Sequence, residues 1–328
     1  MKQEKFNLNP KIIILIIFVI AFTAIIPMVT TRYLQTVINS ALIYFISALG
    51  MSVMLGMGGQ VSFATVAFMG IGAYTTAFFS TKMNVPPLLS FFIAIVVCGI
   101  ASLVLGLILF RLKSGAYVTF ATIALVQIMY SIFCNWRPVT GGADGTSNIP
   151  DLDFGFIKMS GIKSYFYLLV VISIILAFVV ERFRKTSFGR SLASIRDNEI
   201  AAQTLGVNVY RTKVQSFVLA GIFAGIAGAL MAHQNHFISS SPFTFDQATN
   251  YIIMVMLGGV GSTPGVFVGT MLITLLPEWL RPLQEHIQLI YGLSVILLMV
   301  FMPTGLAGLV QSLQKQYKNK KNAGGKNA

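Results

Sequence analysis

The chain has 328 residues, of which 55% are hydrophobic and only 10% are charged, and its formal net charge is +13 with a mean hydropathy of +0.79. An average soluble domain is roughly a quarter charged. This composition therefore excludes a soluble protein, because so few charged side chains could not cover a water-facing surface. A lipid bilayer must be the solvent for much of the chain, and the two cysteines argue against a disulfide framework.

Apolar segments long enough to cross a bilayer recur along the chain. A spanning helix needs about 20 mostly apolar residues. We predict about ten spans, near residues 11–30, 34–55, 63–80, 87–110, 115–133, 164–180, 214–232, 248–259, 264–280 and 287–303. For the short segments near 250 and 264, half-spans or re-entrant segments are the alternative. The predicted fold class is an all-α polytopic membrane protein with about 8–10 transmembrane helices.

The distribution of charge predicts the side of the membrane on which each loop lies. If the N-terminus is inside and every span crosses, the inside segments are 1–11, 111–114, 181–213 and 304–328. These segments carry 17 basic and four acidic residues, whereas the outside segments carry six of each. An excess of Lys and Arg marks cytoplasmic loops, so we expect both termini in the cytoplasm. The first apolar segment lacks a convincing small-residue cleavage site, which predicts a retained anchor rather than a signal peptide.

One membrane domain and a tail make up the predicted organisation. The transmembrane domain covers residues 1–310, with a polar outer loop at 134–163 and a polar inner loop at 181–213, and a disordered basic cytoplasmic tail follows at 311–328. The lysines of the tail suit a position beside anionic membrane lipid. The net positive charge of the chain therefore requires no nucleic-acid partner to explain it.

The inner loop contains the polar stretch SFGRSLASIRDNEIAAQTLGV over residues 187–207. We predict a helix over 191–206 that ends at Gly206, since glycine accepts the left-handed conformation that follows a helix. Ala201 and Ala202 would leave a shallow surface for another protein. Charges of both signs come from Arg196, Asp197 and Glu199. The alternative is an interfacial helix whose basic side lies on lipid headgroups, but the mixed charges and weak apolar stripe favour docking.

A second group of residues combines glycine with polar side chains at membrane depth. Polar residues there tend to line pathways, although a threonine can satisfy its hydroxyl on its own helix and clustered glycines can form a simple tight turn. The candidate translocation path comprises Gly58, Gly59, Gln60, Ser62, Thr65, Thr119, Thr122 and Gln127. Separately, the small-residue spacing of Gly221, Gly225 and Gly228 predicts close helix packing.

Two segments of the chain resemble each other, VMLGMGGQ at 53–60 and VMLGGVGS at 255–262. Each ends an apolar run and precedes another, a pattern typical of internal repeats with broken helices in transporters. The predicted topology gives both copies the same orientation. We therefore expect either a parallel repeat or a span count that is wrong by one, with chance similarity of apolar sequence as the alternative.

Signatures of catalysis are absent from the sequence. The P-loop pattern G-x-x-x-x-G-K-[ST] does not occur, so ATP hydrolysis would have to come from a partner. His233 and His236 lie three residues apart, but no cysteine or nearby acid completes a metal site. The scarce acids and three histidines form no catalytic cluster. We therefore expect a non-enzymatic protein without a metal or cofactor.

Several motifs carry a resemblance to a known family. The order Glu-x-Ala-Ala-x-x-x-Gly at 199–206 resembles the cytoplasmic loop signature of ABC importer permeases, and GRSLASIRDNEIAAQTLGVNVYRTK at 189–213 is similar to the M-type permeases of branched-chain amino-acid importers. Further matches in the same order are LGMGGQVSFATVAFMGIGAY (55–74), SGAYVTFATIAL (114–125), TGGADG (140–145), FVLAGIFAGIAGAL (217–230), LGGVGSTPGVFVG (257–269) and Pro-x-Gly-Leu (303–306). The resemblance covers nearly the whole chain from about residue 34.

This resemblance implies the architecture of an ABC importer permease in the bacterial cytoplasmic membrane. The implied partners are two ABC ATPase subunits, a second, H-type permease and an extracytoplasmic solute-binding protein, and the implied small polar substrate is Leu, Ile or Val. The inner loop would act as a cytoplasmic coupling helix docked on the ATPase. Its coupling residues would be Arg190, Arg196, Asp197, Glu199, Ala201, Ala202 and Gly206.

Two departures from the family pattern put the substrate in doubt. Phe63 and Ala64 stand where the family usually has a Gly-His pair, and Gln127 stands where an acidic residue is common. A permease of the same family for urea or short amides is therefore the alternative. A stand-alone secondary transporter or channel would need ionisable groups within the membrane, and the nearest is Glu278 at a predicted outer end.

Overall fold

The computed structural model describes residues 30–112, 115–152 and 161–280, together with residues 289, 290, 292, 293, 296, 305 and 308. The predicted span near 11–30, apart from residue 30, lies outside the described residues. Most of the predicted span near 287–303 and the tail at 311–328 also lie outside them.

The described chain is mainly helical, because a helix satisfies its own backbone hydrogen bonds where lipid offers no partner. In chain order the elements are α1 (Arg32–Met51), continued by a π-helix (Ser52–Met57), α2 (Thr65–Thr81), α3 (Pro87–Leu109), α4 (Gly115–Asn135), α5 (Arg137–Thr140), a 3₁₀ helix (Gly142–Asp144), β1 (Thr146–Ser147), α6 (Ile162–Arg184), α7 (Ser187–Asp197), α8 (Glu199–Thr204), α9 (Val209–Asn235), β2 (Phe237–Ile238), α10 (Phe245–Gly258) and α11 (Thr263–Trp279).

The predicted all-α polytopic class is confirmed. Five helices of the described residues are long and apolar enough to cross a membrane: Arg32–Met57, α3, α4, α6 and α9. Three further predicted spans coincide with α2, α10 and α11, which have 17, 14 and 17 residues. The total of 8–10 spans stays a prediction.

Helix α9 lies at the centre of the bundle, where it packs against α1, α2 and α3. Gly221, Gly225 and Gly228 lie along these contacts. A Cβ on Gly225 would lie 2.6 Å from Cys98 Cβ of α3, and a Cβ on Gly228 would collide with the Met69 backbone of α2. Because these positions have no side chain, the helix backbones approach closely and gain packing energy that lipid tails would not supply.

The loops form two groups at opposite ends of the bundle. At one end β1 pairs antiparallel with β2, and His236 Nε2 lies 3.4 Å from Asp151 Oδ1. At the other end Thr263 Oγ1 donates a hydrogen bond to Glu181 at 2.6 Å, beside the polar loop. Among the described residues this second end carries eight basic and three acidic residues, whereas the first carries four of each. The difference follows the predicted sidedness, and we call the ends outer and inner accordingly.

The two similar segments of the sequence form turns that meet at the inner end. The π-helix after α1 ends at Met57 before the turn to α2, and α10 ends at Gly258 before the turn to α11. A Cβ on Gly56 would lie 3.1 Å from Gly261 N, so the two turns are in contact. Both helices end at the inner side, so the two copies have the same orientation, as the predicted topology requires.

Candidate functional site at the inner end

The polar inner loop folds into two short helices. The prediction of one continuous helix over 191–206 is wrong, because α7 and α8 are separated at Asn198, whose backbone is extended with φ −161° and ψ 109°. The Asn198 side chain accepts a hydrogen bond from Ala201 N at 3.0 Å. It thereby caps α8, since an N-cap oxygen satisfies one of the free N–H groups at a helix start. The loop consists of two pieces joined at one residue.

Helix α8 ends where the sequence predicted. Gly206 adopts the left-handed conformation with φ 84°. Its N–H donates to Gln203 O and the next N–H, of Val207, donates to Ala202 O, both at 3.0 Å. These two hydrogen bonds form the Schellman motif, in which the residue after the glycine packs back on the helix.

A small apolar cluster holds the two helices of the loop together. It consists of Ile195 of α7, Ala202 of α8 and Val209 at the start of α9, all buried, with Val207 packed against them. Ala202 is only 1% exposed. The prediction that Ala202 forms part of an open docking surface is therefore wrong, because its small side chain packs within the loop's own apolar cluster.

Two large apolar side chains of the loop are exposed, and neither was among the residues predicted from the sequence. Ile200 is 75% exposed and Leu205 is 81% exposed, and Ala201 beside them is exposed as well. A single exposed apolar residue is ordinary. Here two such side chains lie within one short polar helix and its C-cap, and their presence in an otherwise polar stretch was the signal that the sequence offered.

Two of the predicted coupling residues are engaged within the chain. Arg196 Nη1 donates a hydrogen bond to Gly56 O at 3.0 Å, and its Nη2 lies 3.4 Å from Asp197 Oδ1. Glu199 Oε2 lies 2.7 Å from Lys213 Nζ of α9. Partly exposed ion pairs contribute little stability, so these contacts mainly set the direction of each side chain.

Other predicted coupling residues remain open to solvent. The Asp197 side chain is 72% exposed. Arg190 is exposed on α7, where its Nη1 donates to Lys185 O at 3.0 Å. Ala201 lies on α8 next to Ile200, whereas Arg190 and Asp197 lie on the preceding helix α7.

Part of the predicted translocation path meets at residues 52–62, which we call the inner turn. Its first half is the π-helix, a rare form that occurs frequently at functional sites. Thr119 Oγ1 of α4 donates to Val61 O at 3.2 Å, and Thr122 Oγ1 accepts a hydrogen bond from Phe63 N at 3.2 Å. Two threonines of α4 thus satisfy backbone groups of a non-helical segment.

The other predicted path residues occupy different positions. Ser62 and Thr65 are buried. Ser62 Oγ accepts a hydrogen bond from Ala64 N at 3.2 Å, and Thr65 Oγ1 donates to Met51 Sδ at 3.3 Å. Gln127 is exposed on α4, more than two turns beyond Thr119. It does not line the cavity described next.

A cavity of about 660 Å³ lies between the inner turn, the junction of α3 with α4, and the inner loop. It is lined by four predicted path residues, Gly58, Gly59, Gln60 and Thr119, and by three predicted coupling residues, Arg196, Asp197 and Glu199. Both polar atoms of the Gln60 side chain are buried, and neither has a hydrogen-bond partner among the described residues. Part of each group predicted separately from the sequence therefore meets at one site.

The fold and this site define a class of protein. A helical bundle with long apolar spans, a basic inner end and a polar loop held against an inner turn is a polytopic membrane transport protein. The chain belongs to the family described as branched-chain amino acid transport system / permease component, which matches residues 33–303.

Individual relatives agree with this family. The chain is 29% identical over 307 residues to the high-affinity branched-chain amino acid transport system permease protein LivM of Escherichia coli (strain K12), with 85% of this chain and 71% of that protein covered. It is 24% identical to the probable branched-chain amino acid transport permease protein LivH of Methanocaldococcus jannaschii, with 84% and 93% covered. It is 31% identical to the ribose import permease protein RbsC of Bacillus subtilis (strain 168), with 60% and 62% covered. No solved structure matches the chain.

Proposed function

We propose that the chain is the membrane permease subunit of an ATP-driven importer that translocates Leu, Ile or Val. The observation that carries this proposal is the family match over residues 33–303, which includes both the inner turn and the inner loop. Relatives named for branched-chain amino acids match 78–85% of this chain, whereas the ribose permease matches 60%. These relatives do not favour the alternative of urea or short amides.

The exposed face of α8 is the proposed docking surface for an ATPase subunit. Ile200 and Leu205 would enter an apolar groove of that subunit, and full burial of such a side chain contributes about 1.5–3 kcal/mol. A few buried anchors usually supply most of the binding energy of an interface. Arg190, Asp197 and Ala201 would surround these anchors, and the absence of a P-loop from this sequence supports a separate ATPase.

The complete importer on this proposal contains two ATPase subunits, a second, H-type permease and an extracytoplasmic binding protein. The binding protein would meet the outer end, where β1 and β2 connect the outer loop to the end of α9. The excess of basic over acidic residues at the inner end supports a cytoplasmic inner loop and cytoplasmic termini in a bacterial cell membrane.

A stand-alone ion-coupled transporter has less support. Such proteins carry ionisable residues within the membrane, and no Asp, Glu, Lys or Arg is buried in the part of the chain that the structure describes. The buried His233 lies near the outer end of α9, where its Nδ1 is 2.8 Å from Pro150 O. Glu278, the nearest candidate in the sequence, accepts a hydrogen bond from Tyr33 Oη at 2.6 Å at the outer end.

Reconstitution tests the proposed function. The permease is purified with the proteins that bind it and placed in liposomes with ATP on the inner-loop side and binding protein on the other. We expect ATP-dependent uptake of labelled leucine, isoleucine or valine, with urea and ribose at the level of protein-free liposomes. ATP-dependent uptake of urea would show that the proposed substrate is wrong. Uptake of leucine by the chain alone, without ATP, would show that the proposed ATP-driven mechanism is wrong.

A further inference from the structure

Arg196 connects the inner loop to the backbone of the inner turn. Its Nη1 donates to Gly56 O at 3.0 Å. Its carbon stem lies on Gly59, where a Cβ would be 2.6 Å from Arg196 Cγ. One turn earlier on α7, Leu192 lies on the neighbouring glycine, with its Cδ2 3.2 Å from the position of a Cβ on Gly58. One face of α7 thus touches the inner turn at three positions.

The carbonyl that Arg196 binds is one of those that a helix end leaves free. The last four carbonyls of a helix have no partner within the helix. At the end of the π-helix the following backbone N–H groups donate to Met54 O and Leu55 O, and the guanidinium donates to Gly56 O. Because the arginine is always charged, this hydrogen bond is charge-assisted and stronger than one between neutral groups.

Gly59 is required by this contact and by its own backbone. Its φ of 65° lies in the left-handed region that glycine adopts without strain, and a side chain there would collide with the stem of Arg196. This gives the glycine a role that differs from the path lining predicted from the sequence, because it lets α7 lie directly on the turn.

We infer that Arg196 is a positioning residue that transmits movement of the inner loop to the inner turn. The inference rests on the proposed function, in which an ATPase subunit binds α8. Helix α8 packs on α7 through Ala202 against Ile195, and the start of α7 is held at the end of α6, where a Cβ on Gly189 would lie 2.5 Å from Phe183 O. A displacement of α8 therefore reaches α7, and Arg196 passes it to the turn.

The test compares Arg196→Ala and Gly59→Ala with Arg211→Ala in the reconstituted importer. Arg211 is an exposed arginine on the first turn of α9 that does not line the cavity beside the inner turn. Leucine uptake and ATP hydrolysis are measured on the same liposomes, after size-exclusion chromatography and pull-down of the ATPase subunit have checked folding and assembly. We expect both contact variants to bind the ATPase and hydrolyse ATP, while uptake per ATP falls at least about fivefold, the lower end of the range for coupling free energies.

Two further readouts separate transmission from a merely structural role. The KM for leucine should stay unchanged, because Arg196 acts on the turn and not on the solute. Arg196→Lys should restore part of the ratio, since it keeps a charged donor but lacks the planar fork of the guanidinium. If Arg196→Ala fails to fold, Gly59→Ala supplies the comparison, and Arg196→Lys should give a ratio between those of Gly59→Ala and wild type.

Each other outcome overturns the inference. A wild-type ratio of uptake to hydrolysis in the folded variants means that the contact transmits nothing. Loss of the ATPase subunit from Arg196→Ala makes Arg196 a docking residue, and the proposed function then stands without the inference. A wild-type importer that does not couple ATP hydrolysis to uptake overturns the proposed function and the inference together.

Discussion

Replacement of the two exposed apolar side chains at α8 should weaken ATPase binding without unfolding the permease. Truncation of Ile200 or Leu205 to Ala removes three carbon groups, worth about 0.8 kcal/mol each when buried. Because these side chains are 75% and 81% exposed, most of that free energy is still available to a partner, about 1.8 kcal/mol per site. The double variant loses up to about 3.5 kcal/mol, and partial burial leaves an expected rise of about 10- to 100-fold in Kd.

The assay is a titration of the detergent-purified permease with the labelled ATPase subunit. The matched control is Ile175→Ala, which truncates the same residue type at a 55% exposed position on the apolar face of α6. Thermal unfolding midpoints should match wild type in both cases, since the truncated atoms mostly contact solvent or detergent. The docking argument would be refuted if the double variant kept the wild-type Kd for the ATPase subunit while an inner-loop peptide with the same two substitutions bound anionic liposomes more weakly than the wild-type peptide. That result would place α8 on lipid headgroups.

Two matched pairs test the packing. Ala202→Leu should lower the thermal unfolding midpoint, because overpacking of a buried site costs about 1–3 kcal/mol, whereas Ala201→Leu on the exposed face should not; equal midpoints would contradict the burial. Gly228→Ala should abolish folded protein because its Cβ would collide with the Met69 backbone, whereas Gly115→Ala has open space around it and should elute like wild type in size-exclusion chromatography. Equal yields of the two glycine variants would contradict the close approach of α9 to α2.

Hydropathy predicted the long helices well because it reports directly on the solvent around each segment. The span predicted at 87–110 is α3 at Pro87–Leu109, and the span predicted from residue 115 is α4, which begins at Gly115. The separation of charge between the two ends has the same origin, since it depends on composition alone. Short segments are less clear, because α10 has 14 residues and hydropathy cannot distinguish a half-span from the end of a longer crossing.

Local signals predicted the end of the inner loop but not its interruption. Gly206 was predictable because the left-handed preference of glycine is a property of one residue. Asn198 also carried a signal, since Asn is a favoured N-cap, but the polar helical pattern on both sides concealed it. The contact of Arg196 with Gly56 had no local signal at all, because 140 residues separate the two and only the packed fold brings them together.

The interruption at Asn198 separates the proposed docking surface from the residue that touches the inner turn. Ile200 and Leu205 belong to α8 and its C-cap, Arg196 belongs to α7, and the packed side chain of Ala202 connects the two pieces. The side chains proposed for docking and the arginine that touches the inner turn therefore lie on different helices. In the two-piece loop the effects come apart. Loss of the apolar anchors should act on the Kd of the ATPase, whereas loss of the arginine should act on uptake per ATP when the ATPase is fully bound.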